Sequence, residues 1–162
     1  MSMMTLGNLM NIDSGRQNKA ASCTVELLKT YHELNIESIP DTIKSNFGNH
    51  NMIQVYQIVL KLLVTSDTNK KHIVFIKTNP DYDLINWENN TAEVYCDCED
   101  FKYRSAYILE SNNALFENDK TKLLLGPALT TPPKRTTNLL CKHAFAAVNW
   151  FIENYSNIMK TI

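Results

Sequence analysis

The stretch TAEVYCDC, residues 91–98, decides how this chain is read. It follows a turn signal at Asn89-Asn90 and has the make-up of a β-strand. In a strand, residues i and i+2 point to the same side. The thiols of Cys96 and Cys98 can therefore face one metal ion without any special turn. Read as a strand, the stretch makes the C-terminal half an α+β fold with a ligand pair at its centre.

A second pair repeats the one-residue spacing after 42 intervening residues, at Cys141 and His143. In a regular helix, i and i+2 point in quite different directions. Cys141 is therefore expected in the turn before the last helix, with His143 in its first turn. Backbone N–H groups at a helix start favour a thiolate there. Three Cys and one His form a recognised closed set for structural zinc. We expect one Zn2+ per chain, held by Cys96, Cys98, Cys141 and His143. Two other readings of the thiols remain open, a redox C-x-C pair and two small buried side chains. His32, His50 and His72 read as scattered, one of them being a fallback should His143 not ligate. Cys23 reads as a buried helix residue.

The pattern C-x-C…C-x-H, with a strand before the first pair and a helix after the second, resembles the SWIM-type zinc finger. CDCEDFKYRSAYIL and PPKRTTNLLCKHAFAAV look like the variant found in tailed-bacteriophage proteins. Cys96, Cys98, Asp100, Phe101, Tyr103 and Arg104 fall on the first half of that pattern. Pro132, Pro133, Asn138, Cys141, Lys142 and His143 fall on the second. The resemblance covers about residues 72–155, and the gap between the pairs is longer than in many cellular SWIM domains. It implies a structural or interaction protein of a virion (tail, baseplate or head–tail region) acting in assembly, with other protein subunits as partners. The alternative is a regulatory nucleic-acid-binding zinc finger.

Around this motif we expect a flexible arm over residues 1–20, a helical part over 21–70 and the zinc-binding part over 71–162. In the helical part, Cys23 to about Asn35, Asp41–Phe47 and Asn51–Thr65 read as helices. Ser66-Asp67-Thr68-Asn69 reads as a turn. His72–Thr78 and Leu84–Trp87 read as strands that join 91–98 in a small antiparallel sheet. Phe101–Ser111 reads as a helix capped by Asp100, Lys122–Leu125 as a short strand, and Cys141 to about Met159 as a helix. The fold class expected is α+β, with N-terminal helices preceding the sheet and its zinc-clamped C-terminal helix.

With 162 residues, 44% of them hydrophobic, the chain can bury one core. The longest apolar tract, Ile58–Val64, is too short for a membrane span and holds Lys61. No basic residue precedes the apolar part of the N-terminus, so we expect a protein that is not secreted, located in a virion or the host cytoplasm. The net charge is −1, unevenly spread. Residues 80–100 carry seven acids and no base, whereas 120–143 carry Lys120, Lys122, Lys134, Arg135 and Lys142 and no acid. These runs read as solvated faces, or as a basic loop for an acidic partner or nucleic acid. Lys134, Arg135 and Lys142 are the candidate interaction residues, and Arg104 a candidate donor toward Asp97, Asp100 or the thiolates. Gly-rich phosphate loops and metalloprotease His-Glu pairs are absent from the sequence, and a closed zinc set has no open position, so no enzyme is expected.

Overall fold

The computed structural model describes residues 4–12, 14–34, 56–78, 90–133 and 139–160. The elements run in the order α1 (Leu6–Leu9), α2 (Ser14–Ala21), β1 (Thr24–Leu34), β2 (Tyr56–Thr65), β3 (Lys71–Thr78) and β4 (Ala92–Cys96). A π-helical turn, Phe101–Ser105, leads into α3 (Ala106–Ser111) and α4 (Asp119–Leu125). A 3-10 turn, Gly126–Leu129, then precedes α5 (Lys142–Glu153) and α6 (Tyr155–Lys160). The class is α+β: a four-stranded antiparallel sheet in the order β1-β2-β3-β4, with helices at both ends of the chain.

Two expected helices are strands. Residues 56–65 form the inner strand β2, paired to β1 on one side and β3 on the other. Ile58, Val59 and Leu60 are all buried, so both faces of the strand are covered there. A strand buried on both faces shows an unbroken apolar run, which periodicity alone cannot tell from a buried helix. The β-branched residues favoured the strand. In β1, Leu27 pairs with Leu62 and Lys29 with Lys61, so Leu28 is the extra residue of a β-bulge. The bulge breaks the two-residue alternation and leaves apolar residues at 25, 28 and 31, a spacing that imitates a helix.

The expected loose arm carries part of the core. Thr5 caps α1 through a reciprocal capping box with Asn8, whose N–H donates to Thr5 Oγ1 at 3.2 Å. Leu6 and Leu9 are fully buried, joined by Ile12 and Ala20. Each buried Leu stabilises the fold by roughly 1.5–3 kcal/mol, which offsets the entropy of ordering a polar segment. The same segment covers the outer edge of β4. Leu6 N–H donates to the Asn90 carbonyl at 2.8 Å and Ala92 N–H to the Met4 carbonyl at 3.1 Å. Further along, Val94 N–H donates to Ala114 O at 2.9 Å, and Phe116 N–H to Val94 O at 3.1 Å. An edge strand with its polar groups satisfied this way offers no template for further pairing.

The Ser66–Asn69 turn, strand β3 and the strand part of 91–98 form as expected. Lys122–Leu125 does not form a strand. It lies in α4, which a second capping box starts, Asn118 with Thr121. The helix stops at Gly126, where φ is +45°, a region that residues with a Cβ avoid. Phe101–Ser111 is a π-helical turn followed by α3, and Asp100 does not cap it through its side chain. The C-terminal helix breaks at Asn154 into α5 and α6. Buried Asn90 donates its amide to Tyr155 Oη at 2.7 Å and ties α6 to the start of β4.

Helix α5 crosses one face of the sheet and touches all four strands, with α2 packed behind it. Ala144, Ala147, Val148 and Phe151 are its fully buried members. On the other face, Phe75 stacks on Phe116 with centroids 4.9 Å apart, and Tyr95 meets Phe101 edge-on at 5.8 Å. The expected helix Asp41–Phe47, the expected strand Leu84–Trp87 and the residues Lys134 and Arg135 lie outside the described residues. Among the described residues, no helix is long and apolar enough to cross a membrane.

Candidate metal centre

Cys96 is the last residue of β4, and its register partner is Val74 of β3. Leu62 of β2 pairs with that same Val74. Leu62, Val74 and Cys96 therefore form one row across the sheet, on the face that α5 covers. Cys98 follows two residues on, at the point where the chain turns into the π-helical segment. Cys141 is the N-cap of α5, with extended backbone (φ −72°, ψ 168°), and His143 lies in the first turn. The strand end and the helix start thus meet. Cys141 and His143 sit at the cap and first turn as expected, whereas β4 ends at Cys96 and Cys98 lies in the turn beyond it, not on the strand as the i, i+2 reading had it.

One donor atom from each of Cys96, Cys98, Cys141 and His143 lies within 4.8 Å of the others. A zinc tetrahedron with Zn–S near 2.3 Å has donor–donor edges of about 3.8 Å, so closure needs shifts of an ångström or less. The four side chains are 0%, 6%, 1% and 7% exposed, in the order named. All three cysteines are free thiols. Two of the sulfurs accept backbone hydrogen bonds, Cys98 from Phe101 N–H at 3.4 Å and Cys141 from Ala144 N–H at 3.3 Å. His143 Nδ1 is buried and makes no hydrogen bond. A buried polar atom without a partner costs roughly 1–3 kcal/mol, so a bonding partner for that nitrogen is expected.

The electrostatics of the protein alone fit the same picture. Hydrogen bonds from Cys141 and then Cys96 hold the Cys98 thiol far below its usual range, helped by His143 and the Phe101 N–H. Burial pushes Cys96 and Cys141 well above theirs. The directions oppose because three buried negative charges side by side would repel one another. A divalent cation reverses this, because a coordinated thiol loses its proton. Nearby, burial pushes Tyr95 up to about 12, with Asp97 adding to the shift. Burial also raises the pKa of Cys23, which is half-buried in the link between α2 and β1, not in a helix, and outside the cluster.

Of the other candidate residues, Arg104 pairs with Asp100, Nε to Oδ1 at 3.0 Å, and not with Asp97. Lys142 sits between Cys141 and His143 of the cluster and lines the cleft in front of it. Two residues were missed. Arg16 of α2 forms an ion pair with the other oxygen of Asp100, across 84 residues of chain. His72 was read as scattered, yet its ring centroid lies 4.2 Å from that of His143, and its Nδ1 is 3.0 Å from Asp97 Oδ1. Register arithmetic could have found His72. Val74 pairs with Cys96, so extending the β3–β4 ladder by two residues places His72 opposite Cys98. Comparisons of the chain with protein-family models, curated proteins and solved structures found no match.

Proposed function

We propose that the chain is a zinc-stabilised interaction protein without enzymatic activity, a virion component of a tailed bacteriophage that acts in assembly. The observation that carries the metal reading is the convergence of four buried donor side chains, Cys96, Cys98, Cys141 and His143, the last with a buried Nδ1 that makes no hydrogen bond. Zinc suits the set because Cys3His is one of its closed structural combinations. Four protein donors fill a tetrahedral ion and leave no position for substrate, which supports a structural role. When bound, zinc supplies a cross-link whose binding free energy is folding free energy. The chain's own contribution is to bring Cys96 and Cys98 to a strand end, Cys141 to a helix cap and His143 to the first turn.

The virion part of the reading is supported by the likeness of CDCEDFKYRSAYIL and PPKRTTNLLCKHAFAAV to tailed-phage proteins. Two measurements test the proposal. Metal analysis of the purified chain is expected to give one zinc per chain, and a value well below one removes zinc. Mass spectrometry of purified particles from the source phage is expected to find the chain in stoichiometric amounts. Its absence from particles removes the virion role and leaves the metal reading standing.

A further inference from the structure

A cleft of about 1010 Å3 opens in front of the metal cluster, with Cys98, Cys141 and His143 in its floor. Five cations line it: Arg16 and Lys19 from α2, Lys70 from the β2–β3 turn, Arg104 from the π-helical turn, and Lys142 from the start of α5. Four separate segments of the fold thus aim positive charge at one space. Only two carboxylates, Glu99 and Asp100, stand against them. Asp100 is already engaged, since its two oxygens hold Arg16 and Arg104 side by side. Among the described residues, Lys19, Lys70 and Lys142 make no ion pair with a carboxylate. The remaining lining is hydroxylic or small: Ser66, Thr68 and Gly15, with His72 at the back.

We propose that this cleft binds the phosphate backbone of a nucleic-acid strand. Lys, Arg and Ser/Thr hydroxyls are the side chains that contact phosphate and sugar. The alternative occupant, an acidic peptide, is disfavoured by what the lining lacks. Protein partners anchor through aromatic and aliphatic side chains in apolar pockets, and no Leu, Ile, Val, Met, Phe, Tyr or Trp lines this cleft. A single phosphate is disfavoured by size, since the cleft is as large as a site for a drug-sized ligand. A zinc-loaded cluster of three thiolates carries one negative charge, which leaves the cleft positive. Arg16, Lys19 and Lys70 lie outside the SWIM-like stretch, so the site belongs to this chain's particular fold. It does not rest on the assembly reading, and the two can fail separately.

The test is anisotropy of a labelled oligonucleotide, single- and double-stranded, titrated with the full zinc-loaded chain. With about four phosphates neutralised, affinity is expected to fall roughly 50- to 150-fold between about 50 and 200 mM salt. Lys19→Glu combined with Lys70→Glu is expected to weaken binding at least about tenfold and to flatten the log–log salt slope by roughly two. Lys120→Glu, an exposed change outside the cleft, is expected to leave binding as it was. In the unaltered protein, bound oligonucleotide is expected to protect Lys19 and Lys70 from acetylation, a readout that needs no variant. The proposal is overturned by an absence of binding at low salt, or by equal weakening from Lys120→Glu. Displacement of the strand by inorganic phosphate at matched ionic strength overturns it in favour of a single-phosphate site. Equal competition by polyglutamate overturns it in favour of an acidic protein partner.

Discussion

In the proposed zinc site, replacing Cys98 by Ala removes one donor of four, and with it one hydrogen-bond acceptor. A structural zinc site contributes roughly 10–16 kcal/mol of apparent binding free energy, so losing one of four donors costs about 3–4 kcal/mol or more. The Phe101 N–H, which donates to Cys98 Sγ at 3.4 Å, loses its acceptor in a buried place and adds roughly 1 kcal/mol. The total, about 4–5 kcal/mol, is a large part of the 5–15 kcal/mol that keeps a domain folded. For a chain of this length each kcal/mol moves the midpoint by about 2–4 °C, so the expected drop is roughly 8–20 °C. The assay is thermal unfolding followed by circular dichroism in zinc-containing buffer, with zinc measured on the same sample. Cys23→Ala is the control: its thiol lies outside the cluster, and its melting point should move by no more than a few degrees. A Cys98→Ala variant that keeps one zinc and melts within about 2 °C of the parent refutes the clamp. Equal losses from both variants would show that any cysteine change has this effect.

Three further outcomes follow from the fold. Leu9→Ala empties a fully buried site and should cost about 2–5 kcal/mol by chemical denaturation; an effect below about 1 kcal/mol would return residues 4–12 to the status of a loose arm. Gly126→Ala should cost roughly 1–2 kcal/mol although open space surrounds the new Cβ, because φ is +45° there, and an unchanged melting point contradicts this. Glu110 is pushed up to about 7, first by its hydrogen bond to Glu117, then by burial and by the charge of Glu117, with Lys122 opposing. Between pH 4.5 and about 7 the folded state therefore holds more protons at Glu110 than the unfolded state does, and its contribution to stability falls as pH rises through that window. Glu110→Gln should remove that slope, as read from denaturation midpoints across the window, and an unchanged slope would rule the pair out.

The four clustered residues were legible in the sequence because their pairing is local. C-x-H needs only a helix start, while C-x-C brought its sulfurs together through the turn after β4, since the strand ends at Cys96 and Cys98 lies beyond it. The strands β1 and β2 were not legible, for two different reasons. The extra residue at Leu28 shifts the alternation of β1, and β2 is apolar on both faces because neighbours cover them. Neither the bulge nor the double burial is visible without the partner strands. The N-terminal segment was hidden by composition. Its Asn and Gly residues suggest disorder, whereas the decisive features are one capping box and the aliphatic residues Leu6, Leu9 and Ile12, spaced three apart. His72 and Arg16 reach the site through tertiary pairing, which only the β3–β4 register and the packing of α2 on α5 supply.

The metal reading and the cleft reading share a frame, and the cleft draws part of its charge geometry from the cluster. Arg104 lies six residues after Cys98, and Lys142 lies between Cys141 and His143, so the cluster sets where two of the five cations stand. Lys19 and Lys70 come from elements that carry no ligand, and Arg16 reaches the cleft through Asp100. A clamp that joins a strand end to a helix start therefore also fixes the spacing of charges around the cleft. A purely apolar contact could hold the same two elements together, but it would not keep a charge cluster of fixed geometry beside water. In the reading proposed here, closing the ligand set makes the floor rigid and leaves the lysines at the rim able to follow a flexible polyanion.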